Sequence, residues 1–168
     1  MAEWLEFFNA YRAPAQHLIS VLLGAAIWRW GGSPERWLIG VFLTTMVLPI
    51  YVGRGLGVEH LHFEPYAASV ILLDIIAAVL FVVIALHANR NYPLWIAGLQ
   101  LVAVGAHLAR ALPDSISPIA FAVLFIGPSY GQLLVLMGGF ARHCLRERRF
   151  GPYRQWRMAP PGLGWTRP

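Results

Sequence analysis

The chain contains no lysine: all thirteen basic side chains are arginines, set against eight acidic residues for a net charge of +5. It has one cysteine, Cys144, which excludes an internal disulfide and, placed among arginines, fits a reduced compartment. Charged residues are scarce at 12%, about half of the roughly 25% usual in soluble domains, whereas 58% of residues are hydrophobic. That balance argues against an ordinary soluble domain and predicts an integral membrane protein. The opening MAEWLEFFNAYRAP lacks the basic stretch and small-residue cleavage site of a secretory signal, so it is expected to be retained. No internal repeat is visible, which argues against the repeat-built transporter folds.

What the chain does have is long apolar runs. Residues 69–88 are apolar except for Ser69, Asp74 and His87, and about 20 such residues match a hydrocarbon core roughly 30 Å thick. Similar runs cover 14–30, 37–52, 94–112 and 116–140. The predicted fold is therefore all-α: a polytopic membrane bundle of about five transmembrane helices over 14–142. A short amphipathic helix over 1–13 precedes it, in which Trp4, Leu5, Phe7, Phe8 and Tyr11 recur against Glu3, Glu6 and Asn9. Pro14 is suited to a helix start, Ser33 and Pro34 to the cap and first turn of the second span, and Thr44 and Thr45 to hydroxyl bonds with the backbone. Residues 143–168 form a basic tail, rich in proline and glycine at its end and expected to be partly disordered.

Five spans place the termini on opposite sides of a bilayer. With the C-terminus inside, Arg29, Arg36, Arg90 and the tail arginines face the cytoplasm against Arg12, Arg54 and Arg110 outside. The positive-inside rule thus predicts a bacterial inner membrane with a periplasmic N-terminus and a cytoplasmic C-terminus. Arg142, Arg146, Arg148 and Arg149 are candidates for attraction to anionic lipid, in preference to nucleic acid.

Several polar residues fall inside the apolar runs, where an unpaired carboxyl costs several kcal/mol. Antiparallel neighbours place Asp74 at nearly the depth of His107, predicting a hydrogen bond between them, and place Gln100 near Gln132, predicting an amide pair. These four residues form the expected intramembrane polar cluster. His17, His60, His62 and His107 lie toward the outer side with Glu59 and Glu64 near two of them, a set of types that ligates metals or haem, although nothing in the sequence requires a cofactor. The GPSYG stretch at 127–131 matches the form of a nucleophile elbow, but it lies mid-helix without the strand that an elbow needs. Gly127, Pro128 and Gly131 read instead as a helix kink that admits a neighbour.

ANRNYPLW (88–95), Gln100, HLARAL (107–112), ISPIAFA (116–122) and PSY (128–130) together resemble small uncharacterised multi-spanning membrane proteins of alphaproteobacteria. The resemblance covers the last three spans and implies a multi-spanning fold without implying a reaction or ligand. The chain is expected to be a non-catalytic accessory or assembly subunit of a larger inner-membrane complex, respiratory or photosynthetic, with other membrane subunits as partners. The alternatives are a small haem- or metal-binding redox protein that uses the outer histidines, and a small transporter or proton-conducting bundle centred on Asp74.

Overall fold

A computed structural model describes residues 2–57, 64–110 and 118–157. Among these the chain is all-α, with five helices: α1 (Ala2–Trp30), α2 (Ser33–Gly55), α3 (Glu64–His87), α4 (Tyr92–Arg110) and α5 (Pro118–Phe150). Extended pairing among the described residues is limited to an isolated bridge between Ala88 and Trp156. By length and composition, two of the helices, α2 and the Ala68–His87 part of α3, are apolar enough to cross a membrane. Among the described residues these two helices meet that measure, fewer than the five spans expected from the sequence.

Sequence neighbours pack side by side, and α1 closes the arrangement against α5. The most extensive packing is that of α4, which lies between α3 and α5, while α2 reaches α1, α3 and α5. Ile27, Leu38, Phe42, Phe81, Ile96 and Leu136 fill the core from all five helices. Short connections force the antiparallel pairing, since residues 88–91 leave α4 no room to do anything except return along α3.

Three local expectations are corrected. α1 runs through Pro14 without a break, so the division at residue 13 is not a helix boundary; the missing donor removes one backbone bond, which a long helix absorbs. The described side chains of that helix begin at Ala10, so the expected amphipathic face on Trp4, Leu5, Phe7 and Phe8 lies outside them. The α2 cap is the extended Gly32, with Pro34 in the first turn, and the Ser33 hydroxyl turns away to Gln155. Finally, α5 does not stop near residue 142: it spans 33 residues, about 50 Å at 1.5 Å each, and ends at Phe150. Gly151 closes it with φ +75, a conformation that favours glycine, and its N–H reaches the Glu147 carbonyl at 2.9 Å.

Within α2, residues Leu43–Val47 form a π-helical turn just before Pro49. Pro49 has no N–H to give and its ring crowds the preceding turn, so a shift to i→i+5 bonding relieves the ladder there. Thr44 and Thr45 stabilise the turn as expected, each hydroxyl donating at 2.8 Å to the carbonyl four residues earlier, Gly40 and Val41.

Candidate functional site

The interior polar residues form one continuous chain of hydrogen bonds. His107 Nε2 lies 2.7 Å from Asp74 Oδ2, and Gln100 Nε2 donates to Asp74 Oδ1 at 3.0 Å and to the Asp74 carbonyl at 3.2 Å. Gln132 Nε2 then donates to Gln100 Oε1 at 2.7 Å, with a longer contact of 3.4 Å to the Ile96 carbonyl. Asp74, Gln100 and Gln132 are all buried. The chain crosses α3, α4 and α5, so each member satisfies a partner on a different helix. The sequence anticipates its two end pairs, whereas the Gln100–Asp74 bond that fuses them into a single array is new. Its last acceptor, Gln132 Oε1, is buried with no donor.

A second cluster, which the sequence reading missed, sits at the opposite end of these helices. Glu35, near the start of α2, is fully buried and forms an ion pair with Arg90, whose side chain is 7% exposed. Tyr92 donates its hydroxyl to Glu35 Oε1 at 2.6 Å. Burial pushes the Tyr92 phenol well above its usual range, against the opposing pull of the Arg90 charge, so it remains a donor. Arg90 Nη2 also lies 3.2 Å from His143 Nδ1. A guanidinium only donates, so Nδ1 accepts and the imidazole proton sits on Nε2, which is 3.4 Å from Glu147. Burial first, and then the Arg90 charge, hold His143 below the usual histidine range and keep it neutral.

Close approach at this end depends on glycine. A Cβ on Gly32 would lie 2.9 Å from Glu35 Oε2 and 3.0 Å from Arg90 Nη2, and one on Gly139 would lie 2.7 Å from the Tyr92 ring. The segment after α5 seals the cluster. Gln155 Oε1 accepts from the Ser33 N–H at 2.6 Å and from its hydroxyl at 2.8 Å, and Trp156 Nε1 donates to Ser33 Oγ at 2.7 Å. Two backbone bonds, Asn89 N–H to the Gln155 carbonyl at 3.0 Å and Arg157 N–H to the His87 carbonyl at 2.7 Å, stitch it to the α3–α4 connection. Residues 143–157 are therefore folded against the bundle, and the proline- and glycine-rich end expected to be disordered, within 158–168, lies outside the described residues. A sequence signal for this cluster existed: Glu35 is an acid set among Arg29, Arg36 and Arg90 at one end of the helices.

The remaining expected residues are dispersed. His17 meets the Tyr51 ring edge-on at 5.6 Å, and His107 is engaged with Asp74, so these two candidate ligands have separate partners. His60 and His62 lie outside the described residues, among which no three His, Cys, Asp or Glu side chains gather into a group able to hold a metal. Ser129 donates to the Ile126 carbonyl at 2.9 Å in an uninterrupted α5, which leaves the GPSYG match without the turn an elbow requires. At the anticipated kink, Pro128 lies inside the helix; Gly131 packs against Leu99, 3.0 Å from an added Cβ, while Gly127 faces open space. Arg142, Arg146, Arg148 and Arg149 are exposed, with Arg146 held 4.2 Å over the Tyr153 ring. Comparison of the chain with protein-family models, curated proteins and solved structures returned no match.

Proposed function

We propose that this chain is a membrane-embedded, non-catalytic accessory subunit that packs against other membrane proteins. The observation that carries the reading is the outward face of the bundle. Along α3, Leu72, Ile75, Ile76, Val79, Val83 and Leu86 are exposed at helical spacing, while Ala77, Phe81, Ile84 and Ala85 fill the opposite face. A helix that is apolar on both faces needs lipid or a partner on the outer one. Trp28, Trp30, Trp37 and Trp95 are each at least 60% exposed and lie within about a turn of the helix ends that carry the Glu35 cluster. Exposed tryptophans at one level, with arginines beyond them, match an interfacial belt on a cytoplasmic side. The interior polar groups face one another across helices, an arrangement suited to holding a bundle together. A host complex of the inner membrane, respiratory or photosynthetic, and an orientation with the N-terminus outside complete the proposal.

Two measurements test it. Alkaline carbonate extraction of membranes should leave the protein in the pellet, and release into the supernatant would refute membrane embedding. Purification in mild detergent should yield a large particle containing other subunits. A monodisperse species of 18.7 kDa plus its micelle would refute the accessory role.

A second reading, a proton-conducting bundle centred on Asp74, draws on the buried His107–Asp74 pair and the undonated Gln132 Oε1. Gln100 and Gln132 carry no titratable proton, so they transmit hydrogen bonds and not charge, which ranks this reading second. Loss of proton flux into proteoliposomes in Asp74→Asn would favour it.

A further inference from the structure

The last turns of α5 carry a groove of about 830 Å³ whose walls differ in character along its length. At the end nearer the bundle its floor is Gly138 and Ala141, continued by the exposed Leu145. At the outer end it is lined by Arg142, Arg146 and Arg149, which recur at i, i+4 and i+7 and so share a helical face over about 10 Å. No carboxylate lines it: Glu147 points to His143 on another face. Three arginines on one helical face thus line an open groove whose remaining walls, Gly138, Ala141, Leu145, Phe150 and Tyr153, are mostly apolar.

Arg146 is fixed in place by its surroundings. It stacks 4.2 Å over Tyr153, whose ring also lies 5.2 Å from the Arg90 guanidinium and whose hydroxyl is 3.0 Å from His143 Nδ1. The folded segment after α5 therefore holds one wall of the groove, and holding an arginine in advance lowers the ordering cost of binding an anion.

The geometry points to a binding site for one anionic phospholipid, its phosphate held by Arg142, Arg146 and Arg149 and one acyl chain lying over Gly138 and Ala141. Guanidinium forks match phosphate oxygens in pairs, which explains arginine at all three positions. The trough explains why the anion is a lipid headgroup: exposed Leu134, then Gly138, Ala141 and Leu145, follow i, i+4, i+7 and i+11 down the same side of α5, a continuous apolar path away from the arginines. A free phosphate makes no use of that path. Gly138 leaves open space over this path, since a Cβ placed there would meet nothing within 4 Å. The inference rests on the membrane reading above and goes further by naming the ligand and its seat.

The test uses full-length protein purified in mild nonionic detergent and stripped of lipid. Native mass spectrometry and thermal unfolding are followed on adding phosphatidylglycerol, phosphatidylcholine or inorganic phosphate. Phosphatidylglycerol should be retained at one per chain and raise the melting temperature, with phosphatidylcholine held at least tenfold more weakly and inorganic phosphate without effect at the same concentration. Arg146→Gln should weaken retention about tenfold. Gly138→Leu should do the same while leaving the lipid-free melting temperature unchanged or higher, because the added side chain fills open space. Equal retention of phosphatidylcholine, a phosphate effect equal to that of the lipid, co-purified nucleic acid displaced by neither lipid, or undiminished binding in both variants would each overturn the site. Failure of the membrane reading is a separate result, seen as release of the protein by carbonate before any lipid is added.

Discussion

Arg90 and Glu35 form an ion pair at a place where Glu35 has no exposed surface and the Arg90 side chain is 7% exposed. This pair joins the start of α2 to the α3–α4 connection, and through Tyr92 and His143 it recruits α4 and α5. Breaking such a pair by removing one partner leaves an uncompensated buried charge. Arg90→Ala or Glu35→Ala should therefore cost about 3–5 kcal/mol, measured by denaturant unfolding in detergent. The double variant Glu35→Ala with Arg90→Ala should cost less than the sum of the two single variants; a double variant equal to that sum would show that the pair is not coupled.

At the other cluster, Asp74→Leu strands the donors of Gln100 and His107 and should cost about 1–3 kcal/mol. Asp74→Asn keeps an acceptor for Gln100, and the imidazole can present the complementary tautomer, so most of the stability should remain. Thermal unfolding of the two variants separates these outcomes. An Asn variant as damaged as the Leu variant would show that the negative charge itself, and not the hydrogen-bond pattern, holds the helices.

His143 gives the seal a pH dependence with a defined sign. Its pKa is lowered from 6.5 in the folded state, by burial and then by Arg90, with Glu147 on its own helix opposing the shift and Tyr153 facing it from the returning segment. The undocked state thus takes up the proton first as the pH falls. The docked segment should be fully stable above about pH 6.5 and loosen below it, seen as faster proteolysis after Arg154 or Arg157 and a change in Trp156 fluorescence. His143→Gln should flatten that profile; an unchanged profile would move the titration to another group.

Two adjacent glycines provide an internal comparison. A Cβ on Gly139 would come within 2.7 Å of the Tyr92 ring, whereas one on Gly138 would meet nothing within 4 Å. Gly139→Ala should lower stability by about 1–3 kcal/mol through overpacking. Gly138→Ala should raise it slightly through helix propensity. Melting temperatures of opposite sign are expected from neighbouring positions.

The single cysteine reports orientation. Cys144 is partly exposed, one residue after His143 on α5. On spheroplasts of a bacterial host, a membrane-impermeant maleimide should label it only after permeabilisation. Labelling of intact spheroplasts would invert the proposed topology.

The helices were legible in the sequence because each requirement is local: apolar runs of the right length, short connections and prolines near helix starts. The pairs Asp74–His107 and Gln100–Gln132 were legible for a related reason, since short connections between antiparallel helices convert sequence distance into depth. Depth alone could not show that Gln100 also reaches Asp74, because that bond depends on how α3 and α4 are rotated about their own axes.

The Glu35–Arg90 pair and the folded segment after α5 were decided only by tertiary structure. Ser33 and Gln155 lie 122 residues apart and meet because five helix ends converge at one level, a geometry that no local pattern encodes. Length, hydropathy and arginine placement by themselves determined that this chain forms apolar helices with one basic end. Which polar groups at that end become buried partners, and which remain exposed around a groove, was settled by helix packing, because burial of a charge is tolerated only where the opposite charge arrives from another part of the chain.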